Sequence, residues 1–117
     1  MKLFIGGFGE DKLGYVKRLQ SADSSIVDFR IWNDFHLSVR DMLAAGLSAE
    51  QITEKVLERF ENEEDTLIIS DEIGNGIVPA DSFEREYREL TGRLLCMAAE
   101  RSDEVMRIIC GIGQRIK

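Results

Sequence analysis

The sequence predicts an α/β fold with an open parallel sheet of about four or five strands and helices on both faces. Short apolar strands alternate with segments of helical periodicity, and that order requires parallel pairing through right-handed crossovers. The segment Thr66–Ser70 is a continuous apolar run with polar ends, which is typical of a strand buried on both faces. The chain has 117 residues, of which 44% are hydrophobic and 32% charged, so we expect a single domain over residues 1–117.

The first part of the chain predicts two strands around one helix. A strand over Lys2–Ile5 runs into two glycines, and a weak helical pattern extends from Lys12 to Leu19. The small polar residues of Gln20–Ser25 predict a loop, and Ser25–Phe29 predicts the second strand. This order is that of a parallel crossover unit.

Two helices are predicted after the second strand. Apolar residues recur at helical spacing from Trp32 to Leu43, and Gly46 is expected to end that helix just beyond its cap. Ser48 and Gln51 form a capping box, in which Ser48 is the N-cap of the next helix. Both helices precede the buried strand.

The last part of the chain predicts a loop, a long helix and a final strand. Residues 71–81 hold two glycines and the only proline, so we expect an ordered loop there. Asp81 offers the start of a long helix with one apolar stripe. Val105–Cys110 is the last predicted strand, and Gly111 closes it.

Composition and charge exclude several classes of function. The net charge of −7 argues against a general binder of nucleic-acid backbones, because such a protein needs a basic face. No apolar stretch approaches the roughly 18 residues of a membrane span, and the N-terminus lacks a signal-peptide pattern. We therefore expect a cytoplasmic protein without a membrane partner. Cys96 and Cys110 are expected to be small buried side chains, and His36 alone cannot build a histidine metal site.

The glycine-rich segment after the first strand lies where a phosphate-binding loop would lie. The pattern of such loops is Gly-x-x-x-x-Gly-Lys-Ser/Thr, and Gly6 and Lys12 match its first glycine and its lysine. Asp11 stands at the second glycine and Leu13 at the magnesium-coordinating hydroxyl, so both departures oppose phosphate binding. Two interpretations stay open: a glycine turn with an ordinary surface lysine, or a nucleotide site whose candidate residues are Gly6, Gly7, Gly9 and Lys12.

Carboxylates at the ends of two predicted strands are candidate magnesium ligands. Asp28 lies near the end of the second predicted strand, where a carboxylate can hold a magnesium-bound water. Glu72 follows Asp71 directly after the buried strand, and these adjacent side chains are expected to point to different faces. The alternative for Asp28 is a cap on a neighbouring helix, and the alternative for the loop at Glu72 is a turn that reverses the chain.

Two motifs in the second half of the chain are specific. The loop after the buried strand reads Glu-Ile-Gly-Asn-Gly-Ile-Val-Pro, and the long helix carries an Arg-x-x-x-Gly-Arg pattern. They resemble the loop Asn-Glu-Val-Gly-x-Gly-Ile-Val-Pro and the helix of the bifunctional adenosylcobinamide kinase / adenosylcobinamide-phosphate guanylyltransferase family of cobalamin biosynthesis. The matching residues are Glu72, Gly74, Gly76, Ile77, Val78 and Pro79 in the loop, Arg88, Gly92 and Arg93 in the helix, Asp103, Glu104 and Val105 at the last strand, and Gly111 at its exit.

The N-terminal part resembles the same family in outline. Features similar to its phosphate loop, its Leu-Val-Asp strand and its following helix are Gly6-Gly7 with Lys12, Ile26-Val27-Asp28, and Trp32. Between that loop and that strand the family carries a further strand and the histidine that takes up GMP. Here only Gln20–Ser25 occupies the interval, and His36 lies after the second strand, in the wrong place for that histidine.

The resemblance implies a shortened P-loop NTPase domain of the RecA-like type. It implies GTP or ATP with magnesium, a corrinoid acceptor whose aminopropanol hydroxyl is phosphorylated, and assembly into homo-oligomers. The missing histidine segment implies that guanylyl transfer is lost. Asp11 and Leu13 imply that nucleotide-dependent phosphoryl transfer is weakened or lost. The alternative is a non-catalytic paralogue, an oligomeric protein with a binding or regulatory role.

Overall fold

The computed structural model describes residues 1–73 and 81–117, which form one sheet with helices on its two faces. The strands are β1 (Lys2–Gly6), β2 (Arg30–Trp32), β3 (Thr66–Asp71), β4 (Glu104–Ile109) and β5 (Ile112–Arg115). The helices are α1 (Lys12–Ala22), α2 (Phe35–Ala44), α3 (Ala49–Asn62) and α4 (Ser82–Arg101). The predicted α/β class is confirmed, and the predicted order of the first four strands and the four helices matches these elements.

The strands of the described residues lie in the order β2-β3-β1-β4-β5. β1 is parallel to β3 and β4, and β2 is parallel to β3, whereas β5 is antiparallel to β4. Gly6 pairs with Asp71 at the ends of β1 and β3, so the loops after both strands leave the same edge of the sheet. We call this the carboxyl edge and the opposite one the amino edge. Open parallel sheets bind their ligands at the carboxyl edge.

The strands bury side chains on both faces of the sheet. One face, which includes Phe4 and Leu67, packs against α1 through residues such as Val16. The other face, which includes Leu3 and Ile68, packs against the three remaining helices. Consecutive strand residues therefore enter different cores, as the period of two along a strand requires. This arrangement confirms the prediction of helices on both faces.

The helix ends that the sequence predicts are present. Gly46 has a φ of 94°, the left-handed conformation that favours glycine just beyond a helix cap. Ser48 and Gln51 form both hydrogen bonds of the capping box at the start of α3. The Asp81 carboxylate accepts from the backbone N–H groups of Phe83 and Glu84 at the start of α4. Each cap satisfies helix-end backbone groups that lack partners within the helix.

The second strand lies later in the chain than the sequence predicts. The prediction of a strand at Ser25–Phe29 is wrong, because residues 24–28 form turns and β2 begins only at Arg30. The Gln20 side-chain amide donates to the carbonyl oxygens of Ile26 and Phe29 at 3.1 and 3.0 Å. These carbonyls are thereby satisfied without a neighbouring strand. Trp32, which the sequence assigns to the next helix, ends β2 instead.

β5 is a further strand that the sequence patterns do not predict. β4 and β5 are joined by Cys110 and Gly111, which have positive φ values of 51° and 75°. Positive φ at both central residues is the geometry of a two-residue hairpin turn, and its usual sequences are Asn-Gly and Asp-Gly. A cysteine in the first position concealed that signal.

Both cysteines are exposed, so the prediction that they are buried is wrong. Cys110 lies in the hairpin turn, outside the sheet's two cores. Cys96 lies on α4 between Leu94 and Ala98, which are both buried, and it points away from their side of the helix.

Candidate functional site

A cleft of about 540 Å³ opens at the carboxyl edge of the sheet. Its walls come from the loop after β1, the start of α1, the start of α2, the end of β3 and the side of α4. The residues used below are Phe8, Lys12, His36, Leu37, Asp71 and Tyr87. The topology thus brings together side chains that are far apart in the sequence.

The loop after β1 needs glycine where it leaves the sheet. A Cβ on Gly6 would lie 2.7 Å from the carbonyl oxygen of Ile108, so a larger residue would force β1 and β4 apart. Gly9 has a φ of 83°, and Asp11 has a φ of 48°. Asp11 therefore adopts the left-handed conformation at the position where the phosphate-loop pattern has its second glycine. Aspartate is among the few residues other than glycine that adopt it readily.

The carboxylate of Asp11 turns back along α1. Its Oδ2 lies 3.7 Å from Nη1 of Arg18, and a Cβ on Gly14 would meet that same oxygen at 2.4 Å. Arg18 offsets part of the negative charge beside the start of α1. Leu13, which replaces the hydroxyl of the pattern, packs against the core beneath α1.

Lys12 reaches from α1 across the cleft to the end of β3. Its Nζ donates to the carbonyl oxygen of Gly7 at 2.8 Å and lies 2.7 Å from Oδ1 of Asp71. Only 9% of the Lys12 side chain is exposed. The interpretation of Lys12 as an ordinary surface lysine is therefore wrong.

The His36 ring lies against the end of β3. Its Nδ1 accepts a hydrogen bond from the backbone N–H of Asp71 at 3.1 Å, and its Nε2 lies 3.4 Å from Oδ2 of the same residue. Because Nδ1 accepts, it carries no proton, and the proton of the neutral ring is on Nε2. The ring is 8% exposed.

The environment of His36 favours its neutral form. Burial lowers the pKa of His36 below its ordinary value of 6.5, the charge of Lys12 lowers it further, and the carboxylates of Asp71 and Asp34 act in the opposite direction. A neutral ring is also what the hydrogen bond from the Asp71 N–H requires. The geometry and the direction of the pKa shift therefore agree.

The family model described as cobinamide kinase / cobinamide phosphate guanyltransferase, CobU, matches residues 15–116. The chain belongs to this family. The bifunctional adenosylcobalamin biosynthesis protein CobU of Salmonella typhimurium is 37% identical over 51 residues, which are 44% of this chain and 28% of that protein. The Escherichia coli protein of the same name is 35% identical over 51 residues, again 44% of this chain and 28% of the relative. The alignments thus cover less than a third of either relative.

Membership of the CobU family agrees with the observed fold. The family has a P-loop NTPase-like fold and acts on nucleotides, and its members belong to cobalamin biosynthesis. In this chain the cleft lies after β1 and before α1, where the phosphate loop of such folds lies. Among the described helices, none is long and apolar enough to cross a membrane.

The predicted magnesium carboxylates do not meet in this CobU-family chain. Glu72 leaves the end of β3 on the side away from Lys12, and its Oε1 lies 3.2 Å from Nε of Arg107. Asp28 lies in the turn before β2, close to Arg30 at the amino edge, because the second strand begins later than predicted. Within residues 1–73 and 81–117, no three histidine, cysteine or acidic side chains form a group that could hold a metal ion.

The family motifs of the second half are only partly visible. Gly74, Gly76 and Pro79 lie outside the described residues. Arg88 and Arg93 lie on α4 beside a shallow apolar groove that also includes Ile73. The described structure brings neither arginine into the cleft that holds Lys12.

Sequence reasoning did not select Asp71 or His36 as site residues. Asp71 carried a usable signal, because it directly follows a buried strand, and the carboxyl ends of such strands form the ligand edge. His36 carried none, because its contact with Asp71 depends on how α2 packs over the end of β3.

Proposed function

We propose that this CobU-family chain binds the phosphates of GTP or ATP, with magnesium, in the cleft at the carboxyl edge. One observation carries the proposal: Lys12, at the lysine position of the phosphate-loop pattern, is buried in the cleft and ion-paired with Asp71 at 2.7 Å. A cation is rarely held in such a position unless an anion pairs with it. A bound phosphate group would replace the carboxylate of Asp71 as that anion.

The chain's own residues supply three parts of such a site. The N-terminus of α1 directs backbone N–H groups and the positive end of its dipole toward the loop. Lys12 moves from Asp71 to the phosphate, exchanging one anionic partner for another. Asp71 then offers a carboxylate at the end of the strand beside β1, where nucleotide hydrolases hold magnesium.

The donor set fits magnesium, although with fewer protein ligands than the full pattern. Mg²⁺ is commonly held by one or two carboxylates together with phosphates and water, so Asp71 alone is a sufficient protein ligand. Leu13 supplies no hydroxyl. Asp71 would hold the magnesium ion, whose charge would offset the negative charge of the phosphates. We infer that phosphoryl transfer is weakened relative to a chain with the complete loop.

The guanylyl-transfer step is absent in this proposal. The chain has one histidine, His36, and a covalent GMP intermediate on histidine would need an exposed ring nitrogen. His36 is buried, and its Nδ1 accepts a hydrogen bond from the backbone N–H of Asp71. Only residues 23–29 separate α1 from β2, which leaves no room for the family's histidine segment.

The rim of the cleft supports an acceptor with apolar surface. Phe8 is 95% exposed and Leu37 is 43% exposed, and both line the cleft. Exposed aromatic and aliphatic side chains beside a phosphate site suit a large, partly apolar molecule. A corrinoid, as in the family, is such an acceptor.

A second candidate function is a non-catalytic, oligomeric paralogue. It is favoured by the Lys12–Asp71 ion pair, which already satisfies the lysine, together with the missing hydroxyl at Leu13. Ile112 begins β5, the last strand of the sheet order, and Ile116 directly follows it; they are 71% and 57% exposed and offer surface for a second copy.

The unfolding free energy of the full chain, measured with ATP or GTP and with or without magnesium, tests the proposal. A nucleotide at 100 times its dissociation constant should add about 2.7 kcal/mol. Lys12→Met, which keeps the apolar stem, should abolish this gain, whereas Lys17→Met on the exposed side of α1 should keep it. No gain with any nucleotide at millimolar concentration would contradict the proposal. Nucleotide binding without phosphorylation of adenosylcobinamide would favour the second candidate.

A further inference from the structure

We propose that β5 binds a second copy of this chain, and that the two β5 strands pair antiparallel about a twofold axis, so that one sheet runs through both copies. The inference goes beyond the nucleotide site and does not depend on it. It applies to either candidate function, and it specifies the strand, the register and the symmetry of the contact.

The backbone of β5 has groups that face away from its neighbour. Among the described strands, β5 pairs with β4 alone and ends the sheet order. The N–H of Ile116, which directly follows β5, donates to the carbonyl oxygen of Val105 on β4 at 2.8 Å. Because the backbone groups of successive residues point to opposite sides of a strand, Gly113 and Arg115 direct theirs to the free edge. Such an edge is a template for pairing with another strand.

The exposed isoleucines lie on one face of this edge. A Cβ on Gly113 would overlap the hydroxyl oxygen of Tyr15, so Gly113 faces α1. Ile112 and Ile116 alternate with Gly113 and face the other side of the sheet, where both side chains are exposed. In a single copy these side chains stay in water, whereas a second β5 alongside would cover both.

One antiparallel register suits these residues best. Since outward-facing residues must pair with each other, Gly113 can lie opposite Arg115 of the second copy, which places Ile112 opposite Ile116 and Gln114 opposite its counterpart. A shift that sets Arg115 opposite its counterpart brings like charges together, which is destabilising. A shift that sets Gly113 opposite its counterpart leaves Ile112 against Gln114.

The favoured register is complementary to itself. It forms two Ile–Ile pairs between the copies, one on each side of the twofold axis, and apolar cross-strand pairs stabilise neighbouring strands. It also sets each Arg115 opposite a glycine, so no like charges face each other directly. Because one strand supplies both members of every pair, the partner that fits this edge is another copy of the chain.

The first experiment tests the register by disulfide formation in the full chain. Cys96 and Cys110 are both exposed, so both are first replaced by serine. Gln114→Cys then places a thiol opposite its counterpart, in a pair whose Cα atoms are about 4.5 Å apart and within reach of a disulfide. Arg115→Cys is the matched control on the same strand, because its counterpart lies diagonally at about 7–8 Å, beyond that reach.

We expect a mild oxidant to link Gln114→Cys chains into covalent dimers several-fold faster than Arg115→Cys chains. Both positions are exposed in the single copy, so neither substitution removes a core side chain. Equal or reversed rates would overturn the register and with it the proposal.

The second experiment measures association of the unchanged chain by sedimentation equilibrium without nucleotide, so its result is independent of the nucleotide site. We expect dimers, and we expect Ile112→Lys, which removes both Ile–Ile pairs by symmetry, to raise the dimer dissociation constant about tenfold. Val27→Lys is the matched control, because Val27 is exposed and precedes β2 at the other end of the sheet order. A monomer at about 1 mM chain, an assembly of three copies, or equal effects of the two lysine variants would overturn the proposal.

Discussion

The two edges of the sheet carry similar charged residues in different surroundings. At the carboxyl edge, Lys12 and Asp71 are mostly buried and ion-paired, and the His36 ring accepts a hydrogen bond from the backbone N–H of Asp71. At the amino edge, Asp28 and Arg30 are exposed and lie beside the acidic end of α3. The number of charges does not distinguish these edges. The difference is that Lys12, His36 and Asp71, which belong to three separate elements, contact one another at the carboxyl edge.

That difference predicts unequal effects on stability. Asp71→Ala leaves the ammonium group of Lys12 buried, with the Gly7 carbonyl as its one remaining partner among the described residues, and we expect the unfolding free energy to fall by about 2–3 kcal/mol. Asp28→Ala at the amino edge should change it by no more than about 0.5 kcal/mol. Urea unfolding of the two variants measures both values. Similar losses would mean that the edges do not differ as described.

A sharper test replaces only the charge. Asp71→Asn should release Lys12, so we expect ATP without magnesium to bind more tightly than it does to the unchanged chain. The same variant should lose the additional affinity that magnesium provides, because the carboxylate is gone. Calorimetry with and without magnesium measures both effects, and Asp28→Asn is the matched control. Magnesium-dependent binding that survives in Asp71→Asn would remove Asp71 from the site.

The two edges should lose stability in different pH ranges. His36 has a pKa below its ordinary 6.5 because of burial, so the unfolded chain takes up a proton in the acid range that the folded chain does not. The free energy of unfolding that depends on the neutral His36 ring is fully present above pH 6.5. It is lost as the pH falls from 6.5 through the lowered pKa. At the amino edge, Arg59 lowers the pKa of Glu63 below its ordinary 4.5, so that contribution is lost only below pH 4.5.

Urea midpoints at several pH values measure these windows. His36→Gln should remove the loss of stability that begins just below pH 6.5. It should leave the loss below pH 4.5, which comes from Glu63, unchanged. An unaltered profile in this variant would show that another group titrates in the upper window.

The smallest expected effect lies at the amino edge. Arg59 and Glu63 form an ion pair one helical turn apart at 2.9 Å, and both side chains are partly exposed. Glu63→Gln should lower the unfolding free energy by about 0.3–0.5 kcal/mol, and salt should reduce that difference. Urea unfolding at low and high salt measures it. A loss as large as that of Asp71→Ala would make the comparison of the edges wrong.

Much of the fold could be predicted because its signals are local. The capping box at Ser48, the glycine at Gly46 and the N-cap at Asp81 each depend on residues within one turn of the helix end. The continuous apolar run of β3 gave the buried strand for the same reason. These features need no knowledge of the rest of the chain.

The errors occurred where a distant or unusual partner replaces the expected one. The carbonyls of Ile26 and Phe29 accept from Gln20, so an apolar segment that resembles a strand forms turns. Cys110 adopts a positive φ that is typical of glycine or asparagine, so the hairpin to β5 was not recognised. The pairing of Lys12 with Asp71 required the strand order, which the sequence alone does not provide.

The most direct test of the account is a titration of the ¹⁵N-labelled full chain with magnesium–ATP and magnesium–GTP, followed by its backbone amide resonances. The account predicts that the shifts concentrate at Gly6–Lys12 and at the end of β3, and that Asp28–Arg30 at the amino edge stay unchanged. Shifts at the amino edge, or no shifts at millimolar nucleotide, would contradict the claim that Lys12 and Asp71 form a nucleotide site.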